Sequence, residues 1–108
     1  MICKSPVLKF DRTCGWFQGQ KEFWIICGSV LREYFDVPEN ARSIQFFGYS
    51  KPGKDRVKVC RAKKDTNNHL KGCLLIDGHW EFFVGDTDEC IERLVDEHGT
   101  LYVECEYA

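Results

Sequence analysis

The chain of 108 residues carries 15 Lys and Arg against 17 Asp and Glu, a formal net charge of -2, and its length suits a single domain with one hydrophobic core. Apolar residues at 44%, with eight Phe, four Tyr and three Trp, supply enough burial to offset the entropy of ordering the chain, which excludes a disordered polypeptide. The longest apolar run, Phe23 to Cys27, is far shorter than the roughly 20 residues of a membrane-crossing helix, and residues 1–6 open no apolar stretch of signal-peptide length, so a soluble cytoplasmic protein without a membrane partner is expected.

In chain order, Val7-Leu8-Lys9-Phe10-Asp11 alternates before the turn signal Cys14-Gly15 and predicts a strand over residues 6–11. Lys21 to Cys27 holds Phe, Trp and two Ile, residues that favour a pleated, packed surface, and its apolar character on both faces predicts an interior strand. Gly28-Ser29 breaks that run. Val30, Leu31, Tyr34 and Phe35 then recur at helical spacing behind Ser29 as an N-cap, although a strand over residues 30–36 competes. Val37-Pro38 stops the element, because the residue before Pro is pushed out of the helical region. Ile44, Phe46, Phe47 and Tyr49 make the next strand, ended by the turn cluster Ser50-Lys51-Pro52-Gly53.

In the second half, Arg56-Val57-Lys58-Val59 alternates as a half-buried strand and Asp65 to Asn68 is a polar loop. Residues 73–76 and 79–82 flank Asp77-Gly78, the dipeptide suited to a two-residue type I′ hairpin turn. That turn places Cys73, Leu75, Trp80 and Phe82 on one face, which is expected to be core. Asp86 with Glu89 at N3 reads as a capping box, followed by an apolar stripe of Cys90, Ile91, Leu94 and Val95 and stopped by Gly99. Leu101, Val103, Cys105 and Tyr107 alternate with Tyr102, Glu104 and Glu106 in a last strand with one wet face. The sum is an α+β domain over residues 1–108: a single-layer mixed, mainly antiparallel sheet of about five to seven strands packed by two short helices. The order strand, strand, helix, strand recurs in both halves, a weak sign of pseudo-symmetry.

Seven Cys spaced by 11, 13, 33, 13, 17 and 15 positions form no C-x2-C or C-x4-C knuckle. With an odd count and no secretory signal they read as reduced thiols, and no metal or cofactor is expected. Cys14 and Cys60 lie outside the clear apolar stripes and are the thiols with most prospect of exposure, and Lys58 and Arg61 beside Cys60 favour a thiolate, yet Cys60 is read as buried rather than reactive.

Charge is the most uneven property. From Lys51 to Lys71 there are eight basic residues and two acidic ones, whereas Asp77 to Glu106 holds ten acidic residues and Arg93. If these blocks face apart, the basic one is free to attract phosphates or an acidic partner; if they meet, they neutralise each other. Catalytic motifs are missing: no Gly-rich phosphate loop, nucleophile elbow or H-E-x-x-H. His79 and Glu81, two apart on one strand, are the best base and orienting carboxylate the chain offers, and a polar pair on a wet face explains them more simply. His98 at a helix C-terminus is explained by the dipole.

The leading expectation is a small non-catalytic protein-binding module, its aromatic contacts Trp16, Phe17 and Tyr49 and its steering patch Lys54, Arg56, Lys58, Arg61, Lys63 and Lys64. Homodimerisation through a sheet edge or an aromatic patch is a variant. The alternative, from a different class, is a nucleic-acid-binding domain that uses the basic segment 51–71, with Phe47 and Tyr49 as stacking partners.

Overall fold

The computed structural model describes residues 3–5, 7–12, 43–64 and 69–108. The expected strand at 21–27 and the expected helix behind Ser29, which are the middle elements of the first half of the pseudo-symmetric pattern, lie outside these residues, as do Trp16 and Phe17, Cys14 and Cys27. Among them the chain forms a seven-stranded sheet and one α-helix. The α+β class and the mainly antiparallel sheet are as expected, while the second helix is not among the described residues and every described strand pairing is antiparallel rather than mixed.

The strands are β1 (Cys3–Lys4), β2 (Leu8–Asp11), β3 (Ile44–Tyr49), β4 (Lys58–Lys64), β5 (His69–Ile76), β6 (His79–Asp86) and β7 (Thr100–Tyr107), with helix α1 (Thr87–His98) between the last two. The sheet order is β1-β7-β3-β4-β5-β6, and β2 also pairs with β7 beyond the end of β1. Ser5 fastens that edge: its N–H donates to the Cys105 carbonyl at 2.8 Å, and its Oγ accepts from the Cys105 N–H at 2.8 Å. A short 3-10 turn, Gly53–Asp55, leads into β4.

Local chemistry accounts for the hairpin. Asp77 and Gly78 take φ of 50° and 79°, the positive values that a type I′ turn requires and that Gly tolerates without strain. Both flanking strands run further than the residue pattern predicts, to eight residues each. Helix α1 starts where expected, but the capping box is absent: Asp86 makes no side-chain cap bond and its carboxylate instead meets His69 Nε2 at 2.8 Å. Gly99, at φ 82°, closes the helix and donates its N–H to the Val95 carbonyl. His98 Nε2 bonds the Leu75 carbonyl at 2.8 Å; a carbonyl only accepts, so that nitrogen carries the proton.

The predicted helix stripe is the buried one. Cys90, Ile91, Leu94 and Val95 are all inside, against Phe10, Phe46, Leu70, Leu74, Phe83, Leu101 and Val103 from the inner sheet face. Each large aliphatic side chain so buried contributes about 1.5–3 kcal/mol. Close packing also explains Gly72. A Cβ there would lie 2.2 Å from the Arg61 carbonyl oxygen and 2.4 Å from Ala62 Cα, so only Gly lets β5 approach β4 at that point.

The thiols sort by the same layering. Cys60, Cys90 and Cys105 are buried, Cys73 is half-buried and Cys3 exposed. Cys60 is buried, in keeping with its reading as a buried rather than reactive thiol: although flanked by cations in sequence, it faces the core, with its Sγ 3.9 Å from Cys90 Sγ. A hydrogen bond to Cys60, then burial, holds the Cys90 thiol well above its ordinary range, and burial pushes Cys105 up to about 12. These are thiols that stay protonated and pack as small hydrophobes.

Candidate functional site

Helix α1 covers one face of the sheet, and the register defines the other. Directly opposed residues in an antiparallel pair share a face, so one row reads Glu104, Phe47, Arg61, Cys73, Phe82 across β7, β3, β4, β5 and β6. The next reads Glu106, Gln45, Lys63, Lys71, Val84. Leu75 pairs with Trp80 on the same side. The outer face is thereby banded: carboxylates on β7, cations on β4 and at Lys71, and an apolar strip on β6.

The apolar strip corrects the sequence reading. Cys73, Leu75, Trp80 and Phe82 do share a face, but it is the outer one, and Trp80, Phe82 and Val84 are 49%, 68% and 52% exposed. The core is built from the opposite residues of the same hairpin, Leu70, Leu74 and Phe83. Both faces of these strands carry apolar side chains, so alternation alone could not say which one the helix would cover.

Strand β4 owes the third of its outward cations, Lys58, to an irregularity. Gly48 opposes Cys60 but Tyr49 opposes Lys58, so Val59 is one residue extra. Strict alternation from Arg61 would send Val59 outward and Lys58 inward. The bulge buries Val59 and Cys60 together and brings Lys58 to the same side as Arg61 and Lys63, the re-aiming that β-bulges commonly perform.

Two concavities lie on this face. One, of about 300 Å3, is lined by Lys58, Arg61, Cys73 and Trp80. The other, of about 230 Å3, runs along β4 and β5 past Arg61, Lys63, Lys71, Cys73 and Gln45. They share Arg61 and Cys73 and so form one track. Arg61, Lys63 and Lys71 form no ion pair among the described residues, while Lys58 Nζ lies over the Phe47 ring, 4.9 Å from its centroid.

The residues singled out from sequence divide accordingly. Lys58, Arg61 and Lys63 converge on the track. Lys54 sits in the 3-10 turn. Arg56 stacks on Tyr49 at 4.6 Å and approaches Glu104 at 3.6 Å. Lys64 closes β4 opposite Leu70, off the outer rows. Tyr49 is half-buried, and its phenol is raised chiefly by burial, against the lowering influence of Arg56. Tyr49 and Phe47 are therefore occupied by cations and do not offer free stacking faces. The rings that do, Trp80 and Phe82, and the fourth cation, Lys71, were not picked out from sequence; Lys71 belongs to the basic segment, but its face depends on pairing with Lys63.

The other candidates resolve simply. His79 Nε2 is 3.4 Å from Glu81 Oε1, and Glu81 Oε2 accepts from Arg93 at 3.0 Å. This links the hairpin to α1, and neither concavity of the outer face includes the pair. No cluster of three metal-ligating side chains occurs among the described residues, and no described helix is long and apolar enough to cross a membrane. Known protein families, characterised proteins and solved structures yield no match to this chain.

Proposed function

We propose that this protein is a non-catalytic binding module and that the outer face of β4, β5 and β6 is where it holds an anionic macromolecule. The observation that carries the reading is the juxtaposition on that face of an exposed apolar strip and cations that form no ion pair among the described residues. Buried interior charge is paired and exposed apolar side chains are usually scattered; a contiguous aromatic strip rimmed by unneutralised cations is a contact surface. Acidic residues do not cancel it. Five of the ten in the acidic block sit on α1, which packs against the opposite face, and Glu104 and Glu106, which share the outer face, lie on β7, two strands from the β4 cations.

Retention on a heparin matrix tests this. The wild-type chain is expected to bind at low salt and elute as salt rises, and Arg61→Glu with Lys71→Glu to abolish retention while Lys54→Glu leaves it unchanged. Equal loss from Lys54→Glu, or retention indifferent to Arg61 and Lys71, would assign the affinity elsewhere. A protein partner has one feature of its own in support: Phe82 and Val84 lie on β6, the edge strand of the described sheet, where an added strand or a second copy would find open backbone groups.

A further inference from the structure

We infer that the anionic ligand of the outer face is a single-stranded nucleic acid, whose phosphates follow the cations of the shared track and whose bases stack on Trp80 and Phe82. This rests on the proposed binding role of that face and names its ligand. Heparin and acidic polypeptides supply negative charge, but only an unpaired strand supplies it at regular intervals together with flat aromatic groups free to stack. The face has the matching arrangement. Arg61, Lys63 and Lys71 lie along one track, and the concavity of about 300 Å3 places Trp80 against Lys58 and Arg61.

Spacing agrees. Neighbouring strands are about 4.8 Å apart and alternate residues along one strand about 6.7 Å apart. A stack on β6 thus lies about two strands, near 10 Å, from the β4 cations, a span that one nucleotide crosses from base to phosphate. Base-paired rings are buried in their own stack, so duplex nucleic acid supplies phosphates for the cations but no free base for Trp80 and Phe82. Glu106 on β7, in the row of Lys63 and Lys71, repels a strand that strays from the track toward that side, which favours β4, β5 and β6.

Fluorescence anisotropy with labelled ten-nucleotide probes tests the inference on the full chain: mixed-sequence RNA, the same sequence as DNA, an abasic strand of equal charge, a duplex, heparin as competitor, and an acidic aromatic peptide. The base-bearing single strands are expected to bind most tightly, with log affinity falling against log salt at a slope near -3 for about four neutralised phosphates. Trp80→Ala and Phe82→Ala should each weaken them about 5- to 100-fold while leaving heparin affinity unchanged, circular dichroism confirming the fold. RNA and DNA arms show which sugar is preferred. Equal binding of base-bearing and abasic strands, or preference for the duplex, overturns the inference and leaves the anionic-partner role standing. Preference for the acidic peptide assigns the face to a protein. No binding of any probe removes both.

Discussion

Phe82 and Phe83 are neighbours on β6, chemically identical, and sent to opposite faces: Phe82 is 68% exposed, Phe83 5%. Phe83 packs in the core with Leu74 and the α1 stripe, so its truncation to Ala removes a buried ring and leaves a cavity, at a cost of about 3–5 kcal/mol. Phe82→Ala removes a ring already in water and should change stability by no more than about 0.5 kcal/mol. For a domain near this size about 1 kcal/mol moves Tm by about 4–8 °C, so Phe83→Ala should melt at least 12 °C lower while Phe82→Ala stays within a few degrees. Thermal and urea unfolding of the two variants, followed by far-ultraviolet circular dichroism, read this directly. If Phe83→Ala does not fold, Phe83→Leu, expected to lose about 1–1.5 kcal/mol, serves in its place. A larger loss from Phe82 than from Phe83 would invert the hairpin and, with it, the assignment of Trp80 to the outer face.

Two further outcomes follow from the packing. Gly72→Ala should destabilise by about 1–3 kcal/mol or more, because the new Cβ meets the backbone of β4 rather than a movable side chain; urea titration showing an unchanged midpoint would refute the close approach of β4 and β5. Stability should also fall in alkali. The folded Cys105 thiol, at about 12, keeps a proton that the unfolded thiol, near 8.5–9, releases, so its contribution is complete below that lower value and drains as pH climbs toward the upper one, by up to about 1.4 kcal/mol per pH unit. Cys90, raised by its bond to Cys60 and by burial, acts in the same direction. Urea midpoints between pH 7 and 10.5 should decline and Cys105→Ala should reduce the slope; a flat wild-type profile would contradict the burial.

What the sequence reveals and what it conceals divide along a physical line. Punctuation by short-range chemistry is legible: the Asp77-Gly78 turn, the α1 stripe from Cys90 to Val95, the Gly99 stop, and the strands at Ile44–Tyr49 and Thr100–Tyr107 are all determined by a few neighbouring residues. Choices made by long-range contact are not. The β5–β6 hairpin has apolar residues on both faces, and which one enters the core depends on the side to which α1, which follows β6 directly, folds back. The bulge at Val59 leaves no local mark, so β4 reads as a strand at 56–59 when its paired length is Lys58–Lys64. Asp86 looks like a cap until β5 brings His69 within reach. The site follows the same division, since its cations announce themselves as a basic run, whereas their convergence with Trp80 exists only once β4, β5 and β6 are side by side.

Net charge is a poor guide to a protein built this way. A formal charge of -2 argues against polyanion binding only if every charge is felt at the contact surface, and a sheet with a helix on one side prevents that. The α1 helix is itself about 10 Å across, so its solvent-facing carboxylates stand further than that from the outer face, beyond the roughly 8 Å Debye length of physiological salt. Screening therefore uncouples them from Arg61, Lys63 and Lys71. Of the two acids on the outer face, Glu104 is largely buried and held between Lys4 at 3.7 Å and Arg56 at 3.6 Å, which neutralises it locally, and Glu106 stands two strands from Lys63. Among the described residues, the cations of β4 and β5 are therefore the nearest charges to an anion at the track, and the sign of the whole chain matters only at distances where salt has already erased it.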